Sequence, residues 1–508
     1  MIIQTRSGRV AGTHQRAPDG AGYRRWLGVP YAKAERFGAP ERPSQWHGVR
    51  EASTWGAQCP QQLGRKLNRK GLASGAFAED CLFLNVWTPD GGALGPKPVL
   101  VWFHGGAFMV GGSNMYDGWQ LALEGDVIVV TVNYRLGVFG FVNFGEALDL
   151  PDIPSNLGLR DHIAALQWVR DNIAVFGGDP DKVTISGESA GSITVALLML
   201  SSAARGLFRG AIMQSGGVSM VHDRVRSVSD AHRFAEVLGL SRDPMDQLRK
   251  MDVTTLLEAQ AEIHETLKPR VPAAPWYDGD LLPGSRETAV EHDAAPVPLI
   301  AGWMREEIRL FHVYKAGLLP TERAELEKLV RAQLPAGHAD RVLAVYPRGK
   351  AGDIALGTDL SFVIPTRNFA HRHSRTAPTW AFRFDYDHPV LGAAHGLDLG
   401  MMWPFTGLAG LVVRGGPNTR WRKALGSRMR AHWTHFTRHG TPGHDWPVYT
   451  EAIPTVRLFG REDRIADAPD AERFDVWNGF DANAWFSVAE HQRFPKTQAV
   501  QIRPVLRL

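Results

Sequence analysis

A chain of 508 residues with 44% hydrophobic and 22% charged side chains has the balance of a globular protein with a large core, which excludes disorder, collagen and small disulfide scaffolds. Its 57 Lys and Arg against 53 Asp and Glu leave a formal charge of +4, so the composition gives no support to a nucleic-acid partner. No run approaches the roughly 18 to 20 apolar residues of a membrane-spanning helix.

The start, Met1 to Val10, has no apolar h-region behind a basic segment. The expectation is therefore a cytoplasmic protein, with a mature secreted form left open. Cys59 and Cys81 are the only cysteines, and two of them do not fix a redox compartment.

Apolar, largely β-branched runs predict strands at Val99–Phe103, Val127–Asn133, Val183–Ser186, Ala211–Gln214, Pro298–Met304 and Thr379–Tyr386. Several are apolar on both faces, as buried parallel strands are. Between the second and third, Leu159, Ile163, Leu166, Val169, Ile173 and Phe176 recur at three- and four-residue steps, which predicts a helix over Asn156–Phe176. A further helix is expected from about Gly191. Strand alternating with helix implies an α/β fold, a large and mostly parallel sheet flanked by helices, with functional residues on loops beyond the carboxyl ends of the strands. Glycine and proline punctuate the whole length, so 1–508 reads as one domain. The stretches 219–292 and 308–375 show helical patterns without strong strands and read as excursions walling a pocket. Farther on, Arg414, Arg420, Arg422, Lys423, Arg428 and Arg430 lie over Trp421, Leu425, Met429 and Trp433 at four-residue steps. That pattern predicts a solvated basic helix face above a core stripe, in preference to an anion site.

Gly187-Glu188-Ser189-Ala190-Gly191 follows the Val183 strand and precedes a helical run. The pentad alone is a weak signal, but a serine on a tight strand-to-helix turn is how a nucleophile is held exposed above a sheet. After the Val99 strand comes His104-Gly105-Gly106-Ala107-Phe108. Adjacent glycines there let the N–H groups of Gly105 and Gly106 turn towards one point, with Ala190 N–H as the third donor of an oxyanion hole. A general base and its orienting acid should follow the serine in the order acid, then histidine. Glu306 and Glu307 follow one predicted strand and His395 another, although His371, His373 and His388 compete for the role of base on position alone.

At this point the chain resembles the type-B carboxylesterases, bacterial para-nitrobenzyl esterase-like enzymes and cholinesterases among them. The markers are Glu79-Asp80-Cys81-Leu82-Phe83-Leu84-Asn85-Val86, the His104–Phe108 run, Asn133-Tyr134-Arg135, Asn156–Asp161, Phe176–Pro180, the pentad, Gln214-Ser215-Gly216 and Trp446-Pro447. The resemblance implies an α/β-hydrolase fold and a Ser189, Glu307, His395 triad, the acid standing five residues after the strand-end glycine, Gly302. It also implies a supporting polar network of Glu188, Ser215 and Asp398, and a Cys59–Cys81 disulfide. Two departures stand out: Ile308 where glycine is usual after the acid, and His162 where glutamine is usual. The tail 494–508 follows no pattern.

The expected function is a carboxylic-ester hydrolase working through an acyl-enzyme on short-chain alkyl or aryl esters, with no metal or organic cofactor. Phe108, Trp276, Trp303, Met402 and Trp403 fall near the catalytic loops and suggest an apolar pocket. The expected partner is a small-molecule ester, with monomer and weak homodimer both open. A lipase or amidase on the same triad is the alternative, and a non-catalytic cholinesterase-like binding protein a remoter one.

Overall fold

Strands that are apolar on both sides need cover on both faces, and here they receive it. A computed structural model describes residues 1–62, 76–92, 95–285, 288–289, 294–315, 317–405, 413–417 and 419–477. Among them eleven strands form one sheet, in the spatial order Arg464–Asp467, Thr455–Phe459, Thr379–Phe384, Leu299–Met304, Gly210–Gln214, Gly178–Glu188, Lys97–Phe103, Ile128–Val132, Phe83–Pro89, Gly22–Pro30 and Thr13–Arg16. The seven from Thr455–Phe459 to Ile128–Val132 run parallel. The flanking pairs are antiparallel. Ile2–Gln4, Arg9–Ala11 and Val49–Glu51 make a separate three-stranded sheet.

The period-two alternation of a strand divides its side chains between two cores. Val99, Val101 and Phe103 enter one, with Val183, Ile185 and Trp303, while Leu100 and Trp102 enter the other, with Ile212, Ile300 and Phe382. All six predicted strands are present, with ends shifted by a few residues. Two outer strands escape the sequence reading because charge or exposure interrupts their apolar pattern: Gly22–Pro30 contains Arg24 and Arg25, and Arg464–Asp467 is mostly exposed.

Helix Leu157–Asn172 continues as a 3-10 turn, Ile173–Phe176. It is tied to the strand side by Asp161, which accepts from Arg135 Nε at 2.9 Å and Nη2 at 2.7 Å. Both partners are buried, so deleting one would strand a charge at a cost of about 3–5 kcal/mol. Helix Ala190–Leu200 is buried along its whole length. In helix Arg420–His439, Leu425, Met429 and Trp433 form the core stripe, while Trp421 is only half-buried. The basic face is less solvated than expected. Arg430 is buried on Glu124, at 2.7 and 2.9 Å, and Arg428 is forked onto Asp463.

The first excursion folds as helices Arg224–Val237, Pro244–Lys250 and Val253–Leu267. The second is helical almost throughout, from Arg309–Tyr314 to Ile364–His373. No described helix is long and apolar enough to cross a membrane. The tail 494–508 lies outside the described residues.

Candidate active site

Strand Gly178–Glu188 ends one residue before Ser189, which sits at φ 57° and ψ −123° before helix Ala190–Leu200 begins. That backbone is strained for an L-residue and is held by close packing. A Cβ on Gly187 would lie 2.4 Å from the Gly191 carbonyl, and one on Gly191 would lie 2.0 Å from Phe103 O. Ser189 N–H donates to Gln214 O on the neighbouring strand at 2.9 Å, which fixes the turn.

Over this turn lies the loop leaving strand Lys97–Phe103. Gly106, Ala107 and Phe108 have consecutive positive φ values of 116°, 55° and 60°. Met109 and Val110 N–H groups both close on Gly106 O at 3.0 Å. Beneath, His104 Nδ1 contacts Gly105 O at 2.8 Å, and Tyr134 OH donates to His104 O at 2.9 Å. Gly105 passes so near the serine that an added Cβ would be 2.9 Å from Ser189 Cβ. Among the described residues no protein acceptor takes the N–H of Gly105, Gly106 or Ala190. Three amide donors therefore remain for a ligand oxygen.

Glu307 and His395 come from loops after strands Leu299–Met304 and Thr379–Phe384, which pair in parallel register. Glu307 is wholly buried. Its Oε1 accepts from Met304 N–H at 2.7 Å, and its Oε2 faces His395 Nδ1 at 2.7 Å. Glu306 points elsewhere: its N–H donates to Ala393 O, and its carboxylate accepts from Ala393 N–H at 3.1 Å and Arg309 Nη1 at 2.8 Å. The rival histidines are held apart. His371 pairs with Glu451, His373 Nε2 contacts Val297 O, and His388 Nδ1 accepts from Val390 and Leu391 N–H.

On its other side His395 Nε2 lies 3.2 Å from Glu188 Oε1, and among the described residues no hydrogen bond joins it to Ser189 Oγ. Burial alone would lower the imidazole's pKa. The Glu188 charge first, then the hydrogen bond and charge of Glu307, then Asp398, outweigh it and raise His395 to about 9. Burial likewise pushes Glu188 up to about 8 and Asp398 to about 6. In the polar network expected beside His395, no hydrogen bond joins Glu188, Ser215 and Asp398 directly among the described residues. Asp398 is satisfied by Gln214 Nε2 at 2.6 Å and Leu399 N–H at 3.0 Å, while Ser215 Oγ is buried without a hydrogen-bond partner among the described residues. Gln214, which also accepts from Trp433 Nε1 at 2.9 Å, is the member that sequence reasoning missed.

Gly105, Gly106, Ser189, Glu188 and His395 line one cavity of about 870 Å³. None of the five aromatic and methionine residues expected in its wall lines it. Phe108 is turned by its positive φ into the core against Phe141, at 5.0 Å between centroids. Trp303 packs beneath the sheet, and the Trp276 backbone is tied to Asn156. Met402 and Trp403 lie in the opposite core, Trp403 behind Tyr116 at 5.2 Å. The wall instead comes from the excursions: Val253 and Leu257, then Leu310, Phe311, Leu318, Leu319 and Phe362, with Met115 and Tyr116 across from them. Amphipathic helical periodicity in the excursions was the available signal.

The expected disulfide is absent. Cys59 and Cys81 are free, buried thiols in hydrogen-bonding contact, a contact that together with burial raises the Cys81 pKa well above its usual value. Cys59 Sγ accepts from Leu136 N–H at 3.2 Å, which gives it a partner without a bridge. Among the described residues no group of three or more His, Cys, Asp or Glu is disposed to hold a metal ion.

Residues 1–477 match the model of the carboxylesterase family. The chain is 37% identical over 494 residues to the para-nitrobenzyl esterase of Bacillus subtilis (strain 168), covering 93% of this chain and 97% of that one. It is 32% identical to the human (Homo sapiens) cocaine esterase, covering 94% and 90%. A solved structure of a PNB esterase superposes with a TM-score of 0.85 at 35% identity, over 94% of this chain and 99% of the other.

Proposed function

Since the chain belongs to the carboxylesterase family and is a carboxylic-ester hydrolase, we propose that it acts through Ser189 as nucleophile, His395 as general base and Glu307 as the acid that orients the base. Ser189 Oγ attacks the ester carbonyl as its proton passes to His395 Nε2. Glu307, bonded to Nδ1, fixes the imidazole and stabilises the imidazolium. The N–H groups of Gly105, Gly106 and Ala190 take the developing oxyanion. His395 then protonates the departing alcohol, and water repeats the cycle on the acyl-enzyme, returning Ser189 and releasing the acid. Before attack, Nε2 must turn from Glu188 towards Ser189 Oγ, a tightening that catalytic hydrogen bonds commonly undergo on substrate binding.

The observation that carries this reading is that a strained serine and two glycines with unused amide donors line the same cavity as His395, whose Nδ1 faces the buried carboxylate of Glu307. The substrate class is alkyl and aryl esters. A predominantly apolar cavity of about 870 Å³ favours an aryl or branched alkyl group on at least one side of the ester. The name of the Bacillus relative, an esterase of para-nitrobenzyl esters, points the same way. Ser189→Ala is expected to abolish turnover without unfolding the chain, and a stoichiometric organophosphate is expected to label Ser189. Labelling of Ser186 or Ser192 instead would overturn the assignment. Nitrophenyl esters of rising acyl length, beside an amide and a triglyceride emulsion, separate esterase from lipase and amidase action.

A further inference from the structure

Residues 357–362 touch His395 and Ile308, the residue after Glu307. Helix Lys350–Thr358 runs into a π-helical turn, Asp359–Val363, before helix Ile364–His373 resumes. Ile308, next to Glu307, donates its N–H to Thr358 Oγ1 at 3.2 Å. Its branched side chain lies over Gly357, where an added Cβ would be 3.1 Å from Ile308 Cγ1. The bulk at 308 is thus matched by the missing side chain at 357. Four residues beyond Thr358, the Phe362 ring lies against the His395 imidazole, 4.5 Å between centroids at 40°.

A π-helical turn is a rare conformation that needs support from its surroundings, and such turns recur at functional sites. The support here is an ionic cluster around one buried carboxylate. Asp359, wholly buried, accepts from Tyr346 OH at 2.6 Å and from Arg473 Nη2 at 3.3 Å, with Arg473 Nε 2.6 Å from its second oxygen. Trp477 Nε1 donates to Tyr346 OH at 2.7 Å. The short helix Ala471–Asp475, distant in sequence, thereby closes on the turn that carries Phe362.

We propose that residues 357–362 form a positioning clamp for Glu307 and His395, locked in place by the Arg473–Asp359 ion pair. Thr358 fixes the backbone beside the acid, and Phe362 restricts rotation of the base and keeps water from one face of it. The proposal rests on the reading of His395 as base and Glu307 as its acid.

The test uses the full chain and a nitrophenyl acetate, whose small acyl group owes little to the cavity wall. Phe362→Ala and Arg473→Gln are each expected to lower kcat about tenfold or more with KM within about twofold, whereas Phe362→Leu keeps most of the rate. In Phe362→Ala the acid limb of the pH profile should move to higher pH, because water in place of the ring favours the imidazolium. The double variant should be no slower than the slower single one, since both changes act on one contact. His395→Gln, measured in parallel, separates the two readings. If it retains turnover, the triad assignment falls and the clamp with it. If it is inactive while Phe362→Ala and Arg473→Gln melt lower but keep the wild-type kcat and pH profile, the cluster is structural only and the proposal is overturned. Should Arg473→Gln fail to fold, the Phe362→Ala and Phe362→Leu pair decides alone by the same criteria.

Discussion

Glu306 directs its carboxylate to Arg309 and the Ala393 N–H, whereas Glu307 is closed between Met304 N–H and His395. Glu307→Gln would present an amide to Nδ1, disturb the imidazole's tautomer and remove the charge that supports the imidazolium. A fall in kcat of roughly 10³-fold or more is expected. Glu306→Gln retains an acceptor for Ala393 N–H and should stay within about tenfold of the wild-type rate. Steady-state kinetics of both variants check this, and the reverse ranking would exchange their roles. The pH dependence also follows from single residues. His395 must be neutral to act as base, so kcat/KM rises with pH through the apparent pKa of the His395–Glu188 pair and levels off above it. The histidine is raised to about 9, so the acid limb should lie above the ordinary value of about 6.5. Glu188→Gln removes the leading raising influence and should bring the limb back towards that value, which a pH–rate profile of the two proteins would reveal. Ser189 and its glycines were legible in the sequence because their constraint is steric and local. The environment of the base was not: Asp398 meets Gln214 across 184 residues, and Gln214 meets Trp433 across 219, separations that no spacing rule encodes.

At the level of elements, continuous apolar runs located the central strands, three- and four-residue steps located the helix from Leu157, and the excursions are helical over much of their length. What failed was the inference from aromatic content to pocket wall. Trp303 and Phe108 stand close in sequence to Glu307 and to Gly105 and Gly106, but strand alternation and a positive φ turn them into the core. The wall belongs to the excursions, in part through a helix that packs little: Arg309–Tyr314 has no buried residue and still contributes Leu310 and Phe311 to the cavity. The segment around Cys59 carries a prediction of its own. Both thiols are buried and unbridged, so a thiol reagent should count none in the native protein and two after denaturation. A count of zero after denaturation would mean a bridge, which the chain-entropy model values at about 3 kcal/mol of stability.

Across the whole molecule, four of the seven parallel strands bring the Gly105–Gly106 turn, Ser189, Glu307 and His395 together beyond their carboxyl ends, and the helical insertions line the cavity there. The α/β class and the parallel centre were readable from the sequence, since buried strands leave continuous apolar runs. The antiparallel flanks were not: Arg24, Arg25 and Arg464 interrupt Gly22–Pro30 and Arg464–Asp467, while Phe83–Pro89 is wholly buried and uninterrupted by charge, and went unread. The register that places strand Leu299–Met304 beside Thr379–Phe384, together with the Glu306–Ala393 hydrogen bonds just beyond their ends, holds the Glu307 loop to the His395 loop independently of the chain that connects them. That connection need not be covalent once folding is complete. Residues 347–350 are exposed and include Arg348 and Lys350, so trypsin under native conditions should nick there. The two fragments should remain associated and hydrolyse esters at close to the intact rate, as gel filtration and a rate assay on the nicked protein would show. Unfolding the nicked protein should then release two separate chains, and activity should return on refolding far less completely than for the uncut chain.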